Sequence, residues 1–553
     1  MVMVLLPRLA AAQVWQDATA DCLGTTAEWS SKLEVADIDG DGLPDILVAN
    51  GGNYSSKGAA EPARVWKNLG TWATPNVAHC QEISAQAVGG FVGSSRMIKV
   101  ADVDGDGLPD ILTGGAYQTQ LKLFRRTATG WTDASAQLPQ QPTSIGDAEF
   151  GDVDGDGDLD IVLVDWGATA PGVAGYAGGR TRLYLNDGHG TFTEATATQM
   201  PDQLVKWSWD LTLADVDNDW DLDILVSCKL CTTSYLFLND GTGHFTNQPD
   251  ALPHFTNNYA LEPMDINGDG FLDLATINDG AQSRDHIFVN RGDGTFADET
   301  AARLTGLANP AEDDNAAVWL DVDSDGDADL LVASLSGPDR LLLNDGTGHF
   351  TLSATTATPD DTPGSLGIAV ADLDGDGRLD VVQSQGEVAF PEKVQLATSM
   401  VALDTAPPVV AVEQAGPGST AIRARVHDRK SPLHAEDFQR VWVVFDGSIE
   451  VDMRWYGEYL WRAPIKASTY HVCARDRAGN QTCTPDLIVG TAGHDDVLGT
   501  DGPIDAMAKP GGCCDAGRSP AGSIVLALLV ALNARSRSRS RRSRTAPRRR
   551  RSA

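Results

Sequence analysis

Positive charge is scarce in this chain outside its last nineteen residues. The full sequence has 42 Lys and Arg against 77 Asp and Glu, a net charge of −35. Residues 535–553 hold ten Arg and no acid, so everything before them sums to −45. That balance excludes a nucleic-acid-binding body. Catalytic signatures are missing as well: there is no nucleophile elbow, no phosphate loop and no zincin motif. His189, His244 and His349 fall in Gly-rich hairpin turns, where they read as turn residues rather than bases. The apolar run Ala521 to Ala534 has 14 residues, short of the roughly 20 a transmembrane helix wants. Cysteine is sparse, eight in 553 residues. Cys22 with Cys80, Cys228 with Cys231, and Cys473 with Cys483 are the candidate disulfide pairs among the 15 connectivities that six cysteines allow, and they fit export. Cys228 and Cys231 have no second Cys pair or His cluster beside them, which favours a structural disulfide over a zinc or redox site.

Aspartate, by contrast, is concentrated in one nine-residue stretch that occurs seven times. The copies start at Asp37, Asp102, Asp152, Asp215, Asp265, Asp321 and Asp372, at intervals of 65, 50, 63, 50, 56 and 51 residues. Such a period marks a repeat array or propeller. Positions 1, 3, 5 and 9 carry carboxylates, or one amide, and position 7 offers its carbonyl. Hard oxygen ligands in a tight loop suit calcium, and the first half reads like an EF-hand loop. The bidentate Glu of an EF-hand is absent, and position 9 closes the site instead. In the first two copies the expected ligands are Asp37, Asp39, Asp41, Leu43 and Asp45, then Asp102, Asp104, Asp106, Leu108 and Asp110. The third and fourth contribute Asp152, Asp154, Asp156, Asp158 and Asp160, and Asp215, Asp217, Asp219, Asp221 and Asp223. In the fifth they are Asp265, Asn267, Asp269, Phe271 and Asp273, where the amide should weaken binding. The last two supply Asp321, Asp323, Asp325, Asp327 and Asp329, and Asp372, Asp374, Asp376, Arg378 and Asp380. The fourth copy has Trp220 where the others have a Gly that permits φ > 0, which makes it the weakest expected site.

An apolar run follows each loop, so the loops join strands. Around the third copy, four short strands alternate with turns, and the last turn has the form Asn-Asp-Gly-x-Gly-x-Phe, as in Asn186 to Phe192. This hairpin recurs at Asn239, Asn290 and Asn344; at Asn290 it spells Arg291-Gly292-Asp293, an ordinary turn. The seventh unit lacks its fourth strand, while Val14 to Thr19 matches fourth strands elsewhere. The expectation is ring closure into seven blades, which removes exposed sheet edges.

These units resemble FG-GAP/VCBS-type repeats, the family that includes integrin α-subunit propellers and many bacterial surface proteins. The resemblance covers residues 13–400 and implies an all-β, seven-bladed β-propeller in which calcium (Ca2+) is held at the loop positions given above. By strand parity the loops and hairpins share one face, and the long irregular segments share the other. That second face carries Tyr54, Tyr117, Trp166, Tyr176, Trp207 and Tyr259, aromatics suited to an unknown protein or glycan ligand.

Residues 401–408 read as a linker and 409–490 as a small β-sandwich resembling bacterial immunoglobulin-like modules. Residues 491–512 read as a flexible tether. The segment 513–553, with Cys513 and Cys514, an apolar run and an Arg-rich end, resembles MYXO-CTERM sorting signals. That resemblance implies processing at the cysteines and display at a bacterial cell surface, with membrane attachment through this segment or a lipidated Cys. Residues 1–12 read as the back half of a secretory signal. The expected function is non-catalytic adhesion or ligand binding. An extracellular carbohydrate-active enzyme such as a polysaccharide lyase, and a structural envelope protein, are the alternatives.

Overall fold

The computed structural model describes residues 13–490 apart from 53–55, 75–76, 169–173, 281–282, 336, 356, 358–363, 387–388 and 429–436, together with the strand Val497–Leu498. The leader at 1–12, Tyr54, Cys513, Cys514, the apolar run and the Arg-rich end lie outside the described residues. Among the described residues no helix is long and apolar enough to cross a membrane.

The described residues among 13–400 form seven four-stranded antiparallel sheets. The third is representative: Ile145–Gly151, Asp160–Asp165, Thr181–Asn186 and Phe192–Glu194 pair in sequence order. Burial falls from the second strand outward. The second strand, Asp160–Asp165, is buried along its whole length, and its interior, Ile161 to Val164, is a continuous apolar run, as expected for a strand covered on both faces. The fourth, Phe192–Glu194, buries only its first residue. First strands of successive sheets contact one another, and Ser30–Ala36 of the first sheet also contacts Ser365–Ala371 of the last. The last sheet takes its outer strand from the amino terminus: Trp15–Asp17 pairs antiparallel with Lys393–Ala397. Trp15 is 0% exposed and its indole N–H donates to the Leu379 carbonyl at 2.8 Å.

A short helical turn follows the fourth strand in several units, and its leading hydroxyl accepts a backbone N–H from the third strand. Ser84 takes Val65, Thr196 takes Leu183, Thr300 takes Ile287, and Thr19 takes Val394. Thr19 thus serves the last sheet as its counterparts serve theirs.

Beyond residue 408 two further sheets pack face to face. One holds Val409–Val412, Ala421–His427, Arg454–Gly457 and Leu460–Pro464, with Val497–Leu498 at its edge. The other is built on Phe438–Phe445 and Thr469–Asp476. Val412, Val443, Phe445 and Val472 are fully buried between them. This unit, expected to follow a linker as a separate module, is packed against the loops of the third to fifth sheets. All three expected disulfides are present: Cys22–Cys80, Cys228–Cys231 and Cys473–Cys483.

Candidate functional site

Each of the seven Asp loops connects a first strand to a second and closes with the same hydrogen bonds. The position-5 carboxylate accepts the position-7 N–H, from Leu43 on Asp41 at 3.0 Å to Arg378 on Asp376 at 3.0 Å. The position-1 carboxylate accepts the position-6 N–H, as Asp37 does from Gly42 at 2.7 Å and Asp215 from Trp220 at 3.2 Å. Position 9 is buried, and one of its oxygens accepts the first N–H of the hairpin in its own sheet: Asp45 from Asn68, Asp160 from Asn186, Asp329 from Asn344. The loop is therefore turned inward by its own backbone before any ion is considered.

Do these residues fit a divalent cation? Carboxylate oxygens of Asp37, Asp39 and Asp41 lie within 4.8 Å of one another, as do those of Asp102, Asp104 and Asp110, of Asp152, Asp154 and Asp160, of Asp215, Asp217 and Asp223, and of Asp321, Asp323 and Asp325. Asp39 Oδ1 and Asp217 Oδ1 are buried with no hydrogen-bond partner. Burial pushes the position-9 carboxyls up, Asp45 and Asp110 to about 7 and Asp160, Asp273, Asp329 and Asp380 to about 8, with loop carboxylates adding to it and backbone donors opposing it. A cation among these oxygens would offset that charge crowding. The first, second and sixth loops fit. Lys67 reaches Asp39 and Asp41, and Arg125 reaches Asp104, but these side chains are about a quarter exposed and can swing away. In the fifth loop Asn267 Nδ2 donates to Asp273 Oδ2 at 3.0 Å, so the amide binds a neighbouring ligand position instead of adding charge.

The fourth loop fits least. Trp220 adopts φ 70°, so the side chain that seemed incompatible with the turn is accommodated in it, buried under the guanidinium of Arg425 at 5.7 Å. Arg425 donates to Asp215 Oδ2 at 2.8 Å, Asn218 Oδ1 at 2.7 Å and the Gly270 carbonyl at 3.0 Å. Arg423 pairs with Asp221 at 2.7 Å. In the third loop Arg462 pairs with Asp152, whose N–H donates to the Tyr456 carbonyl at 2.8 Å. These arginines come from the C-terminal sheets, and sequence reasoning missed them because it read that unit as a separate module beyond a linker.

The first strands line a central channel, and alternate residues face it. Three residues before each loop's first Asp stand Glu34, Lys99, Glu149, Thr212, Glu262, Val318 and Ala369 in turn, and all of them line the channel. This alternation is visible in the sequence but was overshadowed by the loops. The hairpin between Arg454–Gly457 and Leu460–Pro464 closes the loop end with Trp455 and Glu458. At the other end Trp209 stacks on Tyr259 with ring centres 5.4 Å apart, and Trp166 meets Trp209 edge-on at 5.6 Å. Tyr117 and Trp166 follow second strands and Trp209 precedes a first strand, so this cluster lies at the strand ends remote from the loops. Trp166, Trp209 and Tyr259 are buried, and Tyr117, Tyr176 and Trp207 are half-buried. Tyr117 and Trp207 hold left-handed backbone, φ 50° and 45°. Arg96 lies over Trp209 at 4.5 Å and Lys229, within the Cys228–Cys231 loop, over Trp207 at 4.8 Å.

Comparison with known proteins matches the FG-GAP-like repeat family to residues 98–163, 173–226, 231–276, 265–332 and 321–382, and the FG-GAP repeat family to residues 31–66. No curated protein sequence matches the chain. Among solved structures, an Agrocybe aegerita lectin described for recognition of non-reducing terminal N-acetylglucosamine is similar at 19% identity, with TM-score 0.39, covering 59% of this chain and 81% of its own. A chain from a crystal structure of BBS1N in complex with ARL6DN is similar at 10% identity, with TM-score 0.41, covering 71% of this chain and 99% of its own. On its repeats and its four-stranded sheets, the chain belongs to the FG-GAP-repeat β-propellers.

Proposed function

We propose that this protein is a calcium-binding, seven-bladed propeller with an immunoglobulin-like unit, exported and held at a bacterial surface, that binds a protein or glycan without performing chemistry. The seven sheets serve as the blades, and the amino-terminal strand closes the ring. Asp at positions 1, 3, 5 and 9 would hold calcium best in the first, second and sixth loops, and the ion would supply loop rigidity by cancelling carboxylate repulsion. The C-terminal sheets cover part of the loop face, which leaves the aromatic face for the ligand.

One observation carries this reading: the half-buried rings of Tyr117 and Trp207, held in left-handed backbone and flanked by Arg96 and Lys229. Strained backbone persists where the surroundings enforce it and clusters at ligand sites, and aromatic rings beside cations suit sugar faces and protein anchors. The test is a screen of the purified chain against immobilised glycans and surface proteins. Trp207→Ala and Tyr117→Ala should abolish capture of whatever ligand is found, while Trp131→Ala, on an outer strand, should not. Turnover of a captured polysaccharide that is lost with Trp207→Ala would overturn the non-catalytic reading.

A further inference from the structure

The channel holds a partly open cavity of about 190 Å3 between the aromatic cluster and the tip of the C-terminal hairpin. At roughly 30 Å3 per water this is room for about six waters, or for one small organic molecule. Two lysines and five carboxylates line it. The lysines are already matched: Lys32 pairs with Asp147 and Asp210, and Lys99 with Glu149. Among the described residues the carboxylates of Glu262 and Glu458 have neither an ion pair nor a hydrogen bond, and Glu458 Oε1 is buried. Glu458 reaches the channel from a hairpin tip with left-handed backbone, φ 49°.

A second observation points the same way. Asn315 lines this cavity, is 2% exposed, and neither its Oδ1 nor its Nδ2 has a hydrogen-bond partner. It sits at the register shift between Asp314 and Ala316, an irregularity of the kind that re-aims a side chain beside a site. A buried amide open at both ends is destabilising unless something else completes it.

We propose that the cavity binds a small organic cation, a primary ammonium on a short aliphatic body. An ammonium has three donors and no acceptor, which suits two unmatched carboxylates and an amide oxygen. Ala316, Val318 and Ile368 give the cavity an aliphatic stretch of lining that would take the body of the ligand. A neutral ligand would leave both half-buried carboxyl groups without a cation. A bare metal ion would use only a fraction of the volume and leave the aliphatic lining without a partner. The proposal does not depend on what the aromatic face binds.

The experiment titrates the purified chain, in calcium-containing buffer, with n-butylamine and with 1,4-diaminobutane. Controls are n-butanol and sodium chloride at matched ionic strength, read by calorimetry and by melting temperature. Saturable binding and a raised melting temperature are expected from at least one amine and from neither control. Glu262→Gln and Glu458→Gln, which keep the shape, should each weaken binding by roughly tenfold or more. Ala316→Leu fills the cavity from its apolar side, so it should abolish binding with the melting temperature retained, even if a Gln variant fails to fold. No saturable binding of either amine, equal binding of n-butanol, or unchanged affinity in all the folded variants would overturn the proposal.

Discussion

Asn68 Nδ2 donates a 2.8 Å hydrogen bond to the carbonyl of Leu373, 305 residues away in sequence. Leu373 is the second residue of the seventh loop, and Asn68 ends the third strand of the first sheet. The same contact joins other neighbours: Asn186 to Val103, Asn239 to Val153, Asn290 to Val216 and Asn344 to Ile266. The hairpin Asn is thus a staple between sheets as well as a turn residue. Asn239 also donates to Leu222 O at 3.1 Å and accepts from Gly241 and Gly243. Asn239→Ala should therefore destabilise by about 1–3 kcal/mol, since it leaves buried carbonyls unmatched. Asp240→Ala, on the exposed turn, should stay within about 0.5 kcal/mol. Urea unfolding of the two variants checks the contrast.

The repeats were legible because their signal is local. A nine-residue loop and a seven-residue hairpin carry the strand order with them, and even the displaced outer strand could be recognised from Trp15-Gln16-Asp17. The three candidate disulfide pairs are the ones formed, although the sequence alone left the connectivity open. What stayed hidden depends on contacts between distant segments. Arg423, Arg425 and Arg462 are ordinary strand residues until the C-terminal sheets are placed on the loops. Trp220 read as a misfit because its turn was judged alone, without the guanidinium that stacks on it. Glu262 and Asn315 are unremarkable singly, and only the ring brings them to one cavity.

Calcium removal tests the loops. At a hundredfold excess over Kd each occupied site contributes about 2.7 kcal/mol to folding. EGTA should lower the melting temperature well beyond the effect of added salt, and Asp39→Asn should reduce that difference more than Asp217→Asn, because Arg425 already serves the fourth loop. An unchanged melt after verified removal of metal would leave calcium without support.

Arg425 and Asp215 form a buried pair, with side chains 7% and 0% exposed. Removing one partner of such a pair strands the other charge, at a cost of about 3–5 kcal/mol. Arg425→Ala should therefore destabilise strongly and release the C-terminal sheets to proteolysis. Arg425→Met with Asp215→Asn should recover most of the loss. Arg440→Ala removes exposed pairs with Glu450 and Asp452 and should cost less than about 1 kcal/mol.

Glu392 gives a pH signature away from the loops. Burial pushes its carboxyl from 4.5 up to about 8, against hydrogen bonds from the Ser30 hydroxyl and the Gln385 N–H. The folded protein holds this proton more tightly than the unfolded chain. Its contribution to stability is therefore full below 4.5 and is lost as pH rises through about 8. Glu392→Gln cannot ionise, so it should gain on the parent across that window. Melting curves of both proteins from about pH 4 to pH 9 check the sign.

Ring closure rests on the strand Trp15–Asp17. Its pairing with Lys393–Ala397 is reinforced by Ala18 N–H to the Val394 carbonyl at 2.8 Å, and by Thr398 N–H to the Val14 carbonyl at 2.9 Å. Deleting residues 14–19 removes all of this and leaves Lys393–Ala397 as an unpaired edge, a template for association. The deleted protein should aggregate, visible as a rise in mass by light scattering. Trp15→Ala asks the same question more gently: it empties a fully buried indole site and should cost about 3–5 kcal/mol, whereas exposed Gln16→Ala should cost about 0.5 kcal/mol or less. If the strand merely rested on a sheet that was complete without it, the deletion would stay monomeric with an unchanged melt, and closure through the amino terminus would be refuted.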